Sequence, residues 1–362
     1  MEALAAAPLG SRTRPAGLSR AEGKKVRCLA CGHRCLLSEG GEGICRVRFV
    51  RDGVLRAPWG YVASLALDPV EKKPFFHFLP GSLALSFGMY GCDLRCPFCQ
   101  NWEISQLEPG GEALPSGSPR PRDISPGEIA EEGLRTGAAA VVSTYNEPLV
   151  TAEWASDVFR AARERGLSTA IVSNGHGTPE VVAHLSPVVD AVKIDLKGMR
   201  DETYRALGGR LGAVLETLAA VHRSGAWLEV VTLVVPGLND TDEELRAAAR
   251  FLASLSPDVP WHVTAFHPDY RMTERARTPT GSLERACRIG QEEGLRFVYA
   301  GNVAARTASE STRCPGCGEV VVERHGFRVV RMGLDGKGRC PRCGLLLPGR
   351  WRSSLTGPSL SS

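Results

Sequence analysis

The middle of the chain alternates short apolar, β-branched runs with amphipathic segments rich in Ala, Glu and Arg. This alternation predicts β-strands joined by α-helices, and strands so apolar are expected to form a parallel sheet whose outer face is covered. Repeated strand–helix units favour a full or partial (β/α) barrel, with an open doubly wound sheet as the alternative. The strand candidates are residues 83–91, 139–146, 167–175, 191–198, 227–237, 260–268 and 296–301.

Polar residues gather where these strands end. In both candidate folds ligands bind at the carboxyl ends of the parallel strands, so polar groups that follow several strands are expected to meet in one site. The residues at these positions are Cys92, Asn146, Glu147, Ser173, Asn174, Asp195, Lys197 and His267.

The chain has 12 cysteines among 362 residues, and most of them are clustered. Four lie within residues 28–45, three within 92–99 and four within 314–343, while Cys287 stands alone on a helical pattern typical of a buried, inert thiol. The N-terminus has neither the basic nor the apolar region of a signal peptide, so we expect a reducing, cytoplasmic location. Clustered cysteines there indicate metal ligands rather than disulfides.

The central group has the spacing C-x3-C-x2-C and follows the first predicted strand; it consists of Cys92, Cys96 and Cys99. Iron–sulfur clusters of the four-iron type are normally held by four thiolates, so three thiolates would leave one iron with an open position. Open coordination is typical of reactive metal sites, whereas structural sites are closed. A zinc or ordinary cluster site with a distant fourth ligand is the alternative.

The stretch "GCDLRCPFC", residues 91–99, resembles the cluster motif of the radical S-adenosylmethionine (SAM) superfamily, with Phe98 just before the third cysteine. The resemblance implies a partial (β/α)6-type barrel and a [4Fe-4S] cluster on Cys92, Cys96 and Cys99. It further implies that the unique iron binds SAM and that one electron cleaves SAM. The products would be methionine and a 5′-deoxyadenosyl radical, which abstracts hydrogen from a substrate.

Segments further along the chain resemble the glycyl-radical-enzyme (pyruvate formate-lyase) activating enzymes. By the match to "STYNEP", Glu147 would bind the SAM ammonium with Thr144 and Asn146 beside it, although Tyr-Asn replaces the Gly-Gly of those enzymes. "VKIDLKG" would place Asp195 and Lys197 near the SAM ribose and carboxylate, and "FHPD" would make His267 a SAM contact. The complete implied cofactor site also includes Phe98, Ser173 and Asn174.

The stretch "DPVEKKPFFHFLPGS", residues 68–82, resembles a branch of the superfamily called AmmeMemoRadiSam, as do the terminal cysteine groups. That branch is named for its association with AMMECR-like and Memo-like proteins, so the resemblance implies such partners or a protein substrate. It also implies a reductant protein, flavodoxin or ferredoxin. The substrate itself does not follow from the resemblance.

The terminal cysteine groups have the spacing of metal sites. Four thiolates close together in the chain favour zinc, with a second iron–sulfur cluster as the alternative, at Cys28, Cys31, Cys35 and Cys45. Two Cys-x-x-Cys-Gly turns indicate a zinc ribbon or rubredoxin-like knuckle with zinc preferred over iron, at Cys314, Cys317, Cys340 and Cys343. Such a knuckle is either a stabilising cap or a docking site for a partner.

These features predict five segments along the chain. They are a flexible tail (1–25), an N-terminal metal module (26–60), the barrel (75–305), the C-terminal knuckle (310–350) and a second flexible tail (351–362). A net charge of +4 is too small to indicate nucleic-acid binding. No run of 18 apolar residues occurs, so the sequence predicts no membrane span.

Three functional hypotheses follow. The chain is a radical SAM enzyme that takes hydrogen from a protein, as activating enzymes do; a radical SAM enzyme that acts on a small molecule or nucleotide; or a non-enzymatic scaffold or electron-transfer protein. A scaffold needs no SAM pocket, so Glu147, Asp195 and His267 argue against the third hypothesis. Segment 100–166 lacks the eight-cysteine insert of many activating enzymes, which weakens the analogy with them.

Overall fold

The structure is a computed structural model, which describes residues 9–109, 114, 117–303 and 308–351. Its first part consists of six short strands that form two three-stranded antiparallel sheets, with the strand orders β1-β6-β5 and β2-β3-β4. The strands are β1 (Thr13–Pro15), β2 (Ser19–Glu22), β3 (Lys25–Cys28), β4 (Leu36–Leu37), β5 (Phe49–Arg51) and β6 (Val54–Pro58).

The predicted flexible tail over residues 1–25 differs from the structure, because β1 and β2 lie within it. The backbone of β1 pairs with β6, and Ala16 and Leu18 are buried in the main core. Arg12 forms an ion pair with Asp123, which lies far away in the sequence. The ordering of this segment therefore depends on tertiary contacts, and only residues 1–8 of the predicted tail lie outside the described residues.

The centre of the molecule is an eight-stranded sheet with the order β16-β15-β14-β13-β12-β11-β9-β8. Strands β9 and β11 to β16 are parallel to one another, and β8 pairs with β9 in the antiparallel direction. The separate short strands β7 and β10 pair with each other. The bounds are β7 (Tyr61–Val62), β8 (Ser64–Pro69), β9 (Leu83–Gly88), β10 (Arg122–Asp123), β11 (Ala140–Ser143), β12 (Ser168–Ser173), β13 (Ala191–Asp195), β14 (Trp227–Val234), β15 (Trp261–Ala265) and β16 (Val298–Gly301).

The predicted parallel sheet is confirmed, since each of the seven predicted strand runs contains one of its parallel strands. The strand order runs in one direction without the reversal of a doubly wound sheet, which disfavours that alternative. The described residues form seven parallel strands rather than the six of the expected barrel type. Within the described ranges β8 and β16 each pair with a single neighbour, so the sheet is not closed.

Eight α-helices are present in the described residues, and the longer ones are amphipathic and bury one face. Ser125 and Glu128 form a capping box at the start of α2, which fixes where that helix begins. None of the described helices combines the length and the hydropathy that crossing a membrane requires. The helices are α1 (Trp102–Ser105), α2 (Pro126–Arg135), α3 (Ala152–Glu164), α4 (Pro179–Leu185), α5 (Asp201–Ala206), α6 (Leu211–Ser224), α7 (Asp242–Leu255) and α8 (Thr280–Glu292).

The C-terminal module is a three-stranded antiparallel sheet of β17 (Thr312–Arg313), β18 (Val320–His325) and β19 (Arg328–Met332). The buried guanidinium of Arg324 attaches it to the rest of the chain by donating a hydrogen bond to the Phe76 carbonyl (2.7 Å). The same guanidinium also donates to the Thr312 hydroxyl within the module (2.8 Å). Trp351 packs on His77, and the remainder of the predicted C-terminal tail lies outside the described residues.

Glu229 in β14 is fully buried and is satisfied entirely by hydrogen bonds. Its carboxylate accepts from the backbone amides of Phe76 (2.9 Å) and His77 (2.8 Å), from the Trp227 indole (2.9 Å) and from the His262 imidazole (2.7 Å). It therefore holds the segment that precedes β9 against the middle of the sheet. A buried carboxylate is tolerated only when it is paired in this way.

We expect Glu229→Ala to lower the free energy of unfolding by about 3 kcal/mol, because removing one partner leaves buried donors unpaired. The measurement is urea unfolding of the anaerobically purified chain. Glu216→Ala, on the exposed face of α6, is the matched control and is expected to have little effect. Equal losses for the two variants would contradict the role given to Glu229.

Candidate active site

The loop that carries the central cysteines begins directly after β9 and is held by close backbone packing. Gly91 adopts φ +93°, and a side-chain carbon on it would lie 2.8 Å from the Cys45 carbonyl oxygen, so only glycine fits there. The Leu94 amide donates to the Cys92 sulfur at 3.4 Å. The Cys99 sulfur lies 3.1 Å from the Ser105 hydroxyl in α1. Amide and hydroxyl groups near the sulfurs suit thiolates that bind a metal cluster.

Burial changes the chemistry of these thiols. It raises the pKa of Cys96 to about 12, and it raises that of Cys92 well above the ordinary value. A thiol of such high pKa stays protonated at neutral pH unless a metal cation replaces the proton. The environment therefore does not suit free nucleophiles.

The distances between the sulfurs distinguish a site for an iron–sulfur cluster from a site for a single metal ion. Zinc–sulfur bonds of about 2.3 Å place the four sulfurs of one tetrahedral zinc about 3.8 Å apart. Among the described residues, Cys92, Cys96 and Cys99 do not belong to any group of three donors within 4.8 Å of one another. Wider spacing fits a four-iron cluster, in which each thiolate binds a different iron. The residues present therefore fit an iron–sulfur cluster.

A cavity of about 660 Å³ lies along the inside of the sheet and reaches the cysteine loop. All twelve residues predicted to hold the cluster or the cofactor lie on its wall: Cys92, Cys96, Phe98, Cys99, Thr144, Asn146, Glu147, Ser173, Asn174, Asp195, Lys197 and His267. The volume is in the range of sites for small molecules and cofactors. The structure thus brings together residues that lie far apart in the sequence.

Glu147 follows β11 and is almost completely buried. Its carboxylate accepts hydrogen bonds from the Ser173 hydroxyl (2.7 Å) and from the backbone amides of Asn174 (2.8 Å) and Leu149 (3.0 Å). Burial, together with the nearby Asp93 charge, raises the pKa of Glu147 to about 8. A carboxyl group so oriented and so poorly solvated is suited to bind a cationic ligand, which would restore its charged form.

Three of the predicted cofactor residues use their polar atoms within the protein. The Asn146 amide accepts from the Met89 backbone (3.0 Å) and donates to the Gly91 carbonyl (3.2 Å). The Asn174 side chain donates to Asp93 (2.8 Å), and the Ser173 hydroxyl is bonded to Glu147. These side chains position the cysteine loop and the carboxylate. Thr144 lies beside them on the cavity wall.

Asp195 ends β13 and lies between two ammonium groups. Lys193 forms an ion pair with one carboxylate oxygen, and Lys197 lies 3.4 Å from the other. Burial would raise the pKa of Asp195, but the two lysines outweigh it and lower this pKa. Burial would likewise lower the pKa of Lys197, yet the Asp195 charge raises it. Both residues are therefore charged at neutral pH and face the cavity.

His267 and Phe98 also lie on the cavity wall. The His267 imidazole is one-third exposed and lies 3.1 Å from the Gln100 amide nitrogen, one residue after the last cluster cysteine. The Phe98 ring is buried, and the Lys197 ammonium lies 6.0 Å from its centroid. The residues that follow β15 therefore meet the end of the cysteine loop.

Several residues at or beside the site were not predicted from the sequence. Lys193 is inside a strand and was hidden by its apolar neighbours, and Gln100 gave no signal. Asp93 is buried and accepts a hydrogen bond from His176 (2.7 Å), although it occupies a spacer position of the cysteine motif. Tyr145 adopts φ +75°, a region that favours glycine, where the activating enzymes carry Gly-Gly. Among these residues, only the Tyr in place of Gly could have been noticed in the sequence as unusual.

Comparisons with known proteins identify the family. Residues 87–252 match the family model described as the radical SAM superfamily. An uncharacterised protein of Methanocaldococcus jannaschii is 39% identical over 324 residues, which cover 88% of this chain and 94% of that protein. The chain belongs to the radical SAM superfamily.

Members of this superfamily are enzymes, and membership implies a [4Fe-4S] cluster and SAM. The chain is also similar to the pyruvate formate-lyase 1-activating enzyme of Escherichia coli K12, at 26% identity over 235 residues, which cover 61% of this chain and 93% of that protein. A radical SAM methyltransferase structure from Sphaerobacter thermophilus overlaps with a TM-score of 0.48 at 14% identity, covering 81% of this chain and 78% of that one.

The C-terminal cysteines form a compact donor group. Cys314 and Cys343 have sulfurs 3.5 Å apart, those of Cys317 and Cys340 are 3.6 Å apart, and all four lie within 4.8 Å of one another. This spacing fits one tetrahedral metal ion. The predicted C-terminal metal site therefore has suitable geometry, and zinc remains a prediction.

We expect Glu147→Gln to weaken SAM binding about tenfold or more, because a hydrogen bond to a charged group contributes about 1.5–3 kcal/mol. The measurement is equilibrium dialysis of SAM with anaerobically reconstituted protein whose iron content equals that of the wild type. Glu131→Gln, on the exposed face of α2, is the matched control. Unchanged affinity in the Glu147 variant would contradict the cationic-ligand role.

We expect Cys314→Ser to release one metal ion per chain and to expose residues 310–351 to proteases, because small metal modules depend on their metal to fold. Metal analysis and limited proteolysis measure both effects. Cys287→Ser changes the buried thiol of α8 and is expected to leave both unchanged. Full metal content in the Cys314 variant would exclude this ligand.

Proposed function

We propose that the chain is a radical SAM enzyme that cleaves SAM reductively and abstracts hydrogen from a substrate. The observation that carries the proposal is the shared cavity, which has three cluster cysteines at one end and Glu147, Asp195, Lys197 and His267 around it. A scaffold or simple electron-transfer protein has no use for these charged groups beside its cysteines. The family membership agrees with this chemistry.

Different residues of the chain would hold the cluster and SAM. Cys92, Cys96 and Cys99 would hold the [4Fe-4S] cluster, which supplies the electron that cleaves SAM. Glu147 would bind the SAM ammonium, and Lys197 would bind the carboxylate. Asp195 would accept hydrogen bonds from the ribose hydroxyls. His267 and Phe98 would close the remaining sides around the nucleoside.

The part of the cavity away from the cysteines is the proposed substrate region. It extends toward the amino ends of the strands, since His262 is the second residue of β15 and lies on the wall. Phe76 packs edge-on against the His262 ring, and two residues of the C-terminal module, Gly326 and Phe327, also lie on the cavity wall. A compact group of the substrate therefore fits here together with SAM, whether it belongs to a small molecule or to a protein segment.

The activating-enzyme relatives favour a protein substrate, and a small molecule or nucleotide is the alternative.

We also assign the chain to the AmmeMemoRadiSam branch, with AMMECR-like or Memo-like partners and with a flavodoxin or ferredoxin as reductant. Zinc is the proposed ion of the C-terminal module. Iron–sulfur proteins of this type need reducing conditions, so the proposed location is the cytoplasm.

The test is an assay for 5′-deoxyadenosine after anaerobic incubation of reconstituted protein with SAM and dithionite. We expect product from the wild type and none from Cys96→Ala, because the cluster needs all three thiolates. Cys287→Ser, which alters an unrelated buried thiol, is the control and is expected to remain active. Product from a variant that lacks Cys92, Cys96 and Cys99 would refute the proposed chemistry.

A further inference from the structure

The sulfurs of the N-terminal cysteine group are spread more widely than those of the C-terminal group. Cys28, Cys31 and Cys45 are buried and Cys35 is partly exposed. Among the described residues, none of these four cysteines belongs to a group of three or more donor atoms that all lie within 4.8 Å of one another. The four C-terminal cysteines do form such a group. The two terminal modules therefore have different metal-binding geometries.

The described cysteines of the SAM site likewise belong to no group of three donors within 4.8 Å of one another, and family membership implies a four-iron cluster on them. A four-iron cluster needs thiolate sulfurs roughly 6 Å apart, because each binds a different iron. A side-chain carbon on Gly43 would lie 3.7 Å from both the Cys35 and the Cys45 sulfur, so glycine leaves room beside these two sulfurs. The spacing favours a cluster over a single zinc ion.

Two short routes join the N-terminal cysteines to the cysteines of the SAM site. His33, two residues after Cys31, donates from Nε2 to the backbone carbonyl of Asp93 at 2.9 Å, and Asp93 is adjacent to Cys92. Along the second route, Arg95 donates to the carbonyl of Ile44 at 2.5 Å. Ile44 is adjacent to Cys45, and Arg95 is adjacent to Cys96. Each route crosses between the modules through a single hydrogen bond.

The interface between the two modules is closely packed. The Gly32 amide donates to the His176 carbonyl at 2.8 Å, and a side-chain carbon on Gly32 would lie 2.6 Å from the His176 ring. Gly91, which precedes Cys92, has the same tight contact with the Cys45 carbonyl. Electron transfer between two centres is faster when fewer bonds and less empty space separate them, so this packing suits a relay.

We propose that Cys28, Cys31, Cys35 and Cys45 hold a second [4Fe-4S] cluster that passes single electrons to the SAM site. This inference rests on the proposed function. A reduced flavodoxin or ferredoxin would give one electron to the cluster held by these four cysteines. That cluster would pass the electron on to the cluster held by Cys92, Cys96 and Cys99 and return to its oxidised state. The same electron would cleave the sulfonium–C5′ bond of SAM into methionine and the 5′-deoxyadenosyl radical.

The first test counts metals in the full-length chain after anaerobic reconstitution with iron and sulfide. Two four-iron clusters predict about eight iron atoms per chain, with Mössbauer signals of two cluster types. The double variant Cys28→Ala, Cys31→Ala should retain about four and keep the change in its EPR spectrum on adding SAM. Wild-type protein with about four iron atoms, and zinc that the double variant loses, would overturn the proposal.

The second test compares electron sources in the 5′-deoxyadenosine assay. Dithionite reduces the SAM site directly, so product should persist in the double variant, whereas product driven by reduced flavodoxin should fall to the level without donor. Equal flavodoxin-driven rates in wild type and double variant would refute the relay. Absence of product from the wild type with both sources, despite about eight iron atoms, would refute the proposed function and leave the metal assignment standing.

A third variant keeps the proposal testable if the double variant does not fold. His33→Ala retains every cysteine and removes the hydrogen bond to the Asp93 carbonyl together with the ring contact between His33 and His176. It should have the iron content of the wild type and a slower flavodoxin-driven reduction of the SAM site, followed by EPR after rapid freezing. An unchanged reduction rate together with unchanged iron content would contradict the His33 route.

Discussion

The Asp93 carboxylate is fully buried one residue after the first cluster cysteine, and it accepts hydrogen bonds from Asn174 at 2.8 Å and from His176 at 2.7 Å. Its backbone carbonyl accepts from His33 of the N-terminal module. Burying a carboxylate is costly unless it is paired, so these bonds fix the cysteine loop, the segment after β12 and the N-terminal module relative to one another. The cavity depends on this arrangement.

Much of the fold and of the candidate site could be predicted from the sequence, because the strand pattern that indicates a parallel sheet also indicates where its ligands bind. Parallel strands end at the same edge of a sheet, so Glu147, Asp195 and His267 had to lie near the loop of Cys92 once the strands were recognised. Each of these residues alone would have been an ordinary loop residue. The resemblance to a family then supplied the roles, which the strand pattern does not contain.

Other features depend on tertiary contacts that no local pattern encodes. The segment around Leu18 looked like a tail because its burial comes from the core against which it packs. Lys193 looked like part of an apolar strand, yet it forms an ion pair with Asp195, which lies on the cavity wall. Tyr145 keeps a backbone conformation that favours glycine, and its hydroxyl accepts a hydrogen bond from Lys73 at 3.0 Å. A strained backbone conformation of this kind persists only where the surrounding contacts hold it in place.

The hairpin turn between β18 and β19 places Gly326 and Phe327 on the cavity wall, although it belongs to the module that carries the compact group of four cysteines. Arg324 anchors that module from within the same hairpin, so the turn can change its sequence while its supports stay in place. Under the proposed function, this part of the substrate region and the residues that would handle SAM are encoded in separate parts of the chain. Selection could then alter the choice of substrate without disturbing the proposed SAM site.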